Sequence, residues 1–176
     1  RLGRQLQRLP LHPRLGRILL AAGGAPEAAA ACALLAEGAM ATTPPVLATS
    51  DLWPLVDSFS RQPSHVRRVA EELRRLAASV VDTPTTRLGE TDLRRAVFTG
   101  YVDRLARKRT GSPDRVLLAS GHGATLSRES GVRDAEYLVA LDVVAAERDG
   151  AAEARIRLAS AVDRDWITPD TEAVTH

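Results

Sequence analysis

The chain has 176 residues, 44% apolar and 26% charged, an ordinary globular mixture large enough for one domain or two small ones. Only 3% are aromatic, which argues against binding by stacking several bases, and the lone cysteine excludes an intrachain disulfide or a cysteine-rich metal site. The net charge is only +2, but it is unevenly spread: residues 1–20 carry five arginines and no acid, 87–115 eight bases against four acids, and 116–176 six arginines against eleven acids. If both halves are exposed, the surface is polarised, and a basic face suits an anionic partner. Of the 24 bases, 23 are Arg. That fits bidentate recognition of phosphate or carboxylate, and it equally fits a coding bias that also makes Ala abundant.

Leu2, Leu6 and Leu9 have helical spacing. Pro10 and Pro13 bracket an extended link, and Pro13 suits the first position of a helix. Leu15, Ile18, Leu19 and Ala22 make its apolar stripe, and Gly23-Gly24 stops it. Pro26 opens a second helix with Glu27 in its first turn. From Ala28 to Ala36 that helix is so poor in charge that it must be buried or tightly packed. Cys32 within it reads as a small buried apolar residue. The tract from Ala41 to Ser50 reads as a loop, and Asp51 as the cap of a short helix through Phe59. His65 to Val80 is the clearest amphipathic helix, with Val66, Val69, Ala70, Leu73, Leu76, Ala77 and Val80 on one side. Thr91 is expected to cap the next helix, which runs toward Gly100.

The stretch from Arg94 to Arg115 joins two architectures and holds the densest basic cluster: Arg104, Arg107, Lys108 and Arg109. If residues 102–109 are helical, Val102, Leu105 and Ala106 face a core and the cations face out, with Asp103 pairing Arg107 four residues on. After Pro113 the period shortens. Strands are expected at Arg115 to Ser120, Ala124 to Ser127, Tyr137 to Ala145 and Ala154 to Leu158, with a tight Gly121-His-Gly123 turn. Ile156 and Leu158 alternate with Arg155 and Arg157, the pattern of a half-exposed strand.

Catalytic patterns are missing. Lys108, the sole lysine, has no phosphate-cradling glycine loop around it. Ser120 lacks the frame of a nucleophile elbow. His12, His65, His122 and His176 are widely separated, a weak case for zinc, although His122 in its glycine turn could donate to a phosphate or a base. There is no signal peptide pattern and no uninterrupted 18-residue apolar span, so no membrane partner is expected and the cytosol is the natural compartment. The first residues look mid-domain, as in a piece of a longer chain.

Residues 2–20, LGRQLQRLPLHPRLGRILL, resemble the segment after the second motor domain in bacterial HrpB-type DEAH-box ATP-dependent helicases, with Pro10, Leu11, His12, Pro13, Arg14 and Leu15 in pattern. Gly16 stands for the usual alanine. Tyr101, Asp103, Arg104, Ala106 and Arg109 resemble the family's A-Y-P-D-R-(I/V)-A-x-x-R block, with Val102 where proline is usual. Ser120-Gly-His-Gly-Ala124 keeps the glycines and alanine of the N-G-R-G-A turn but replaces Asn and Arg, which removes a cation near neutral pH.

The resemblance implies an α+β fold: an N-terminal helical bundle, ratchet-like, followed by a small antiparallel β domain, OB-like, complete or truncated. The implied limits are 1–10 for the end of a winged helix, 11–110 for the ratchet-like part and 111–176 for the β region. It implies a non-catalytic accessory fragment that contacts single-stranded RNA or DNA and couples motor movement to unwinding. ATP and Mg²⁺ would be held by motor domains of the same parent chain, with no cofactor in this fragment. Arg14, Arg104, Arg107, Lys108, Arg109 and His122 are the contact candidates. Arg14 could instead lock a joint through a carboxylate, and Asp103-Arg104 could be a structural pair. The alternative function is a protein-interaction or scaffold module that binds a protein partner and no nucleic acid, which the acidic second half favours.

Overall fold

The structure, a computed structural model, describes residues 11–38, 47–148 and 150–168. The described residues form two compact units. The first comprises residues 11–38 and 53–100; the second comprises 47–52, 101–148 and 150–168. The winged-helix assignment of residues 1–10 lies outside the described residues. No helix among them is long and apolar enough to cross a membrane.

The first unit is helical. Helix α1 (Pro13–Ala21) starts at proline, as its missing N–H allows, and His12 Nδ1 accepts from the Arg14 amide at 3.3 Å. Both glycines that stop it adopt positive φ, 59° and 68°. Helix α2 (Pro26–Glu37) buries every residue from Ala28 to Leu34, which explains its lack of charge. Glu27 accepts from the Leu88 amide at 3.1 Å, so it anchors a distant loop as well as favouring its own helix dipole. A short helix α3 (Trp53–Asp57) precedes α4 (Ser64–Ala78), whose expected stripe buries Val66, Ala70, Leu73 and Ala77. The last helix, α5 (Glu90–Gly100), begins one residue before Thr91, so Thr91 is helical and does not cap. Helix α1 packs on α5, and α2 on α4. The α1–α5 contact needs Gly100: a Cβ there would lie 2.7 Å from the Arg14 carbonyl and 2.7 Å from Ile18 Cγ1.

The second unit is a five-stranded barrel: β1 (Leu105–Lys108), β2 (Arg115–Leu118), β3 (Gly123–Leu126), β4 (Tyr137–Arg148) and β5 (Ala151–Val162). The order β1-β2-β3-β5-β4 closes through β1 and β4. Every pair is antiparallel except β3–β5, which is parallel. Alternate residues point inward, and Val116, Leu126, Leu138 and Ile156 fill the core together with Ala106, Ala124, Ala140 and Ala159.

Two expectations fail here. Residues 105–108 are a strand, preceded by a single 3-10 turn, Val102–Arg104. The spacing of Val102, Leu105 and Ala106 is helical, and pairing with both β2 and β4 overrides it. The change of architecture therefore falls at 100/101, ten residues before the expected 110/111. The other error is Asp51. It does not cap α3; it belongs to a strap, residues 47–52, that pairs with the barrel. The Ala48 amide donates to the Gly131 carbonyl at 2.9 Å, the Asp51 amide to Ala159 at 3.0 Å, and the Ala161 amide to Thr49 at 2.7 Å.

Candidate nucleic-acid interface

Period-two alternation puts Arg107 and Arg109 on the outer side of β1 and its exit, while Ala106 faces the core. On β2, Arg115 and Leu117 are exposed and Val116 is buried. The register places Arg107 beside Leu117, and the Arg109 amide donates to the Arg115 carbonyl at 2.9 Å, continuing the ladder one step. Arg115 pairs with Thr125 on β3, and Thr125 with Arg155 on β5. Arg109, Arg115 and Arg155 thus share one cross-strand row on the outside of the barrel, with Thr125 between the last two. All three arginines are exposed, and none forms an ion pair among the described residues.

The six candidate residues are not one cluster. Arg14 belongs to the first unit, where Nη1 donates to the Gly100 carbonyl at 3.3 Å, at the helix end where carbonyls lack intrahelical partners. Arg104 is half-buried with its guanidinium 5.8 Å from the centre of the Tyr101 ring. Arg107 pairs with Glu136 at 3.3 Å and lies 5.7 Å from the Tyr137 ring centre. The expected helical spacing from Asp103 to Arg107 does not exist in a 3-10 turn followed by a strand, and Glu136 takes the guanidinium. Lys108 Nζ donates to the Arg133 carbonyl. Arg109 is the one cation of the four in the basic joint with an exposed, unspent head group among the described residues. His122 is exposed at the opposite end of the β2–β3 hairpin from Arg115, with Nδ1 3.2 Å from Ser120 Oγ.

Arg115 escaped the sequence reading because its place beside Arg109 is a matter of register. Arg155 was legible as an exposed strand residue, but not as a neighbour of Thr125. Arg157, its alternate, is held by Asp142 at 2.7 Å. Beside the Arg155 end of the row lies a cleft of about 590 Å³ lined by Asp114, Glu129, Glu147 and Glu153 with Arg128 and Arg155. Four carboxylates against two guanidiniums make this end unfavourable for a phosphate backbone and leave the β1–β2 side as the cationic part.

The buried Asp51 carboxylate is the other polar centre of this unit. Oδ2 accepts from Ser130 Oγ at 2.6 Å and from the Ala159 amide at 2.8 Å; Oδ1 accepts from the Gly131 amide at 2.8 Å. Burial pushes this carboxyl up from its ordinary range, while those three donors and the charge of Arg133 pull it back.

Over 169 residues, 94% of this chain, the sequence is 34% identical to the ATP-dependent RNA helicase HrpB of Escherichia coli. The chain is homologous to part of HrpB. Two crystal structures agree: one described as the E. coli DExH-box NTPase HrpB, with a TM-score of 0.67 and 26% identity, and one as the E. coli DEAH/RHA helicase HrpB, with a TM-score of 0.66 and 20% identity. Each match covers 93% of this chain. The chain spans 19% of the length of HrpB. No protein-family profile matches it. The family resemblance seen in residues 2–20 and 100–124 is borne out, and so is the α+β fold that it implied. The homology is consistent with the C-terminal region of an HrpB-type helicase.

Proposed function

We propose that this chain is a non-catalytic accessory region of an ATP-dependent helicase, and that the outer β1–β2 face of its barrel holds a single nucleic-acid strand by its phosphates. The observation that carries the proposal is the Arg109–Arg115 pair. Like charges directly opposite across two strands destabilise a sheet, and neither arginine forms an ion pair among the described residues. An anion between the two guanidiniums would remove that cost and accept bidentate hydrogen bonds. By fold-level analogy, OB barrels use the strand 2–3 face and the 1–2 and 4–5 loops for oligonucleotides. Here the 1–2 loop begins at Arg109 and ends at Asp114, so Arg109 and Arg115 flank it.

Such contacts carry no sequence information, so the strand would be gripped without being read. Arg107 would join after exchanging Glu136 for a phosphate. Lys108, Arg104 and Arg14 serve the fold first, and His122 is a peripheral donor. ATP and Mg²⁺ would be held by motor domains in the same polypeptide, in the cytosol, and those domains would draw the strand past this face. This chain's residues supply grip and orientation only.

The test is fluorescence anisotropy of labelled poly-pyrimidine RNA, and of the matching DNA, across a salt series. Three arginine–phosphate contacts give a log–log salt slope of about −2 on a single strand. The variant Arg109→Glu/Arg115→Glu, with an unchanged circular dichroism spectrum, should lose most of the affinity and most of the slope. Equal binding by the folded variant would sink the proposal. The acid-lined cleft beside Arg155 favours a second reading, a protein-interaction module with no strand contact. Absence of binding even at low salt would support that reading.

A further inference from the structure

We infer that Asp51 is a positioning residue for the arginine face: by seating the strap, its carboxylate fixes the segment 130–136, and that segment holds the cations of β1 in place. This rests on the proposed strand-binding role of that face, although the positioning itself can be measured without nucleic acid.

The path is a continuous set of hydrogen bonds. Ser130, Gly131 and Val132 are buried, so their polar groups cannot turn to water. The Asp51 carboxylate satisfies the Ser130 hydroxyl and the Gly131 amide, and the Ser130 hydroxyl oxygen then accepts from the Val132 amide at 3.2 Å. The strap's own backbone seals the other side through Ala48 to Gly131. With this turn fixed, Arg133 folds back over it: Nε donates to the Ser130 carbonyl at 3.0 Å and Nη2 to the Ser127 carbonyl. That leaves the Arg133 carbonyl facing β1, where it accepts from Lys108 Nζ. Three residues later, Glu136 takes the Lys108 amide through its carbonyl at 2.9 Å and Arg107 through its carboxylate.

Both cations that precede Arg109 are therefore anchored to one short segment whose conformation depends on Asp51. The electrostatic reason is plain. Arg107 and Lys108 end a strand of four residues and Arg109 follows directly, so unanchored these three consecutive cations would splay apart. Binding Lys108 inward and Arg107 sideways leaves Arg109, of these three, with its head group exposed and unspent beside Arg115. An amide at position 51 cannot accept at both of its ends, so it leaves either Gly131 or the Ser130–Ala159 pair unsatisfied. The turn must then shift, and the Arg133 carbonyl shifts with it.

Lys108 is the sole lysine of the chain, so ¹⁵N-lysine labelling of the whole protein yields a single Nζ ammonium resonance. In the wild type this resonance should be sharp and its protons slow to exchange. In Asp51→Asn, and in Ser130→Ala as a milder variant that deletes one donor, exchange should accelerate about tenfold, as expected for loss of one buried hydrogen bond. The circular dichroism spectrum should be unchanged. RNA affinity should fall, with a salt slope shallower by about 0.7, one phosphate contact. A barrel that was merely less stable would leave both the Nζ signal and the slope as they were. Wild-type Nζ exchange in the folded variants overturns the inference, whatever happens to affinity. If the resonance responds but the wild type binds no RNA or DNA, Asp51 still positions Lys108, and it is the strand-binding reading that falls.

Discussion

Replacing Gly100 by alanine sets two effects against each other, and the structure decides between them. Alanine favours helix over glycine by about 1 kcal/mol in a helix interior, and by less at the last residue of α5. Against this, the new Cβ would lie 2.7 Å from the Arg14 carbonyl oxygen, 2.7 Å from Ile18 Cγ1 and 3.0 Å from Ile18 Cδ1. Ile18 is fully buried on α1 and the oxygen is backbone, so neither can step aside alone. Overpacking of this kind costs about 1–3 kcal/mol, and parting α1 from α5 also weakens the Arg14–Gly100 hydrogen bond. The expected net loss is about 2 kcal/mol, or about a 30-fold rise in the open fraction of the first unit. Cys32 offers the assay, because its thiol donates to the Leu15 carbonyl of α1 at 3.5 Å and is enclosed by α2's neighbours. Alkylation of Cys32 in mild urea should accelerate by that factor in Gly100→Ala. A variant labelled no faster than the wild type would refute the reasoning: helix propensity would then outweigh contact, and the α1–α5 interface could not be as rigid as its spacing implies.

Burial pushes the Cys32 thiol up to about 12, so at pH 8 native labelling by a small alkylating agent should run at least about a thousandfold slower than for an exposed cysteine; an early, complete reaction without denaturant would contradict the packing of α2. Asp51 has a carboxyl raised above its ordinary value of 3.8, so the folded chain binds that proton more tightly than the unfolded one. The stability contributed by this group is full below the ordinary value and is lost as pH rises through the raised one. The urea midpoint of the wild type relative to Asp51→Asn should therefore increase as pH falls through that window, and a decrease would reverse the sign of the argument. The Asp142–Arg157 pair, at 2.7 Å and about one-third exposed, should contribute about 0.5 kcal/mol, so Asp142→Asn should lower the midpoint slightly at low salt and by less at about 1 M salt. A larger loss that persisted in salt would mean that Asp142 shapes the irregular β4 register beside it.

The helices were legible because their signals are local. Pro13 and Pro26 begin helices where proline is tolerated, Gly24 and Gly38 end them with positive φ, and the stripe from Val66 to Ala77 needs only its own period. The barrel was legible in part. Its inward residues alternate, but β1 has four residues, and an apolar pair beside cations fits a helix as well as a strand until β2 and β4 flank it. The closing β3–β5 pair is parallel and non-local, and nothing in Gly123 to Leu126 names Ile156 as a neighbour.

The same distinction separates the parts of the candidate site. Charge density drew attention to Arg104, Arg107, Lys108 and Arg109, yet density does not say which charges are free. Three of those four hold the fold, through Tyr101, Glu136 and the Arg133 carbonyl. The partner that makes Arg109 costly, Arg115, lies six residues away across a hairpin, where only register could find it. Asp51 is the extreme case. An aspartate before Leu-Trp-Pro looks like a helix cap because capping is the commonest local use of a carboxylate. Its actual donors, on Ser130, Gly131 and Ala159, are about eighty and more residues ahead in sequence, and one carboxylate serves all three. A residue whose role is to satisfy distant buried donors leaves no periodic trace. That is why the segment that accepts from Lys108 and Arg107 is legible only once the barrel has closed around it.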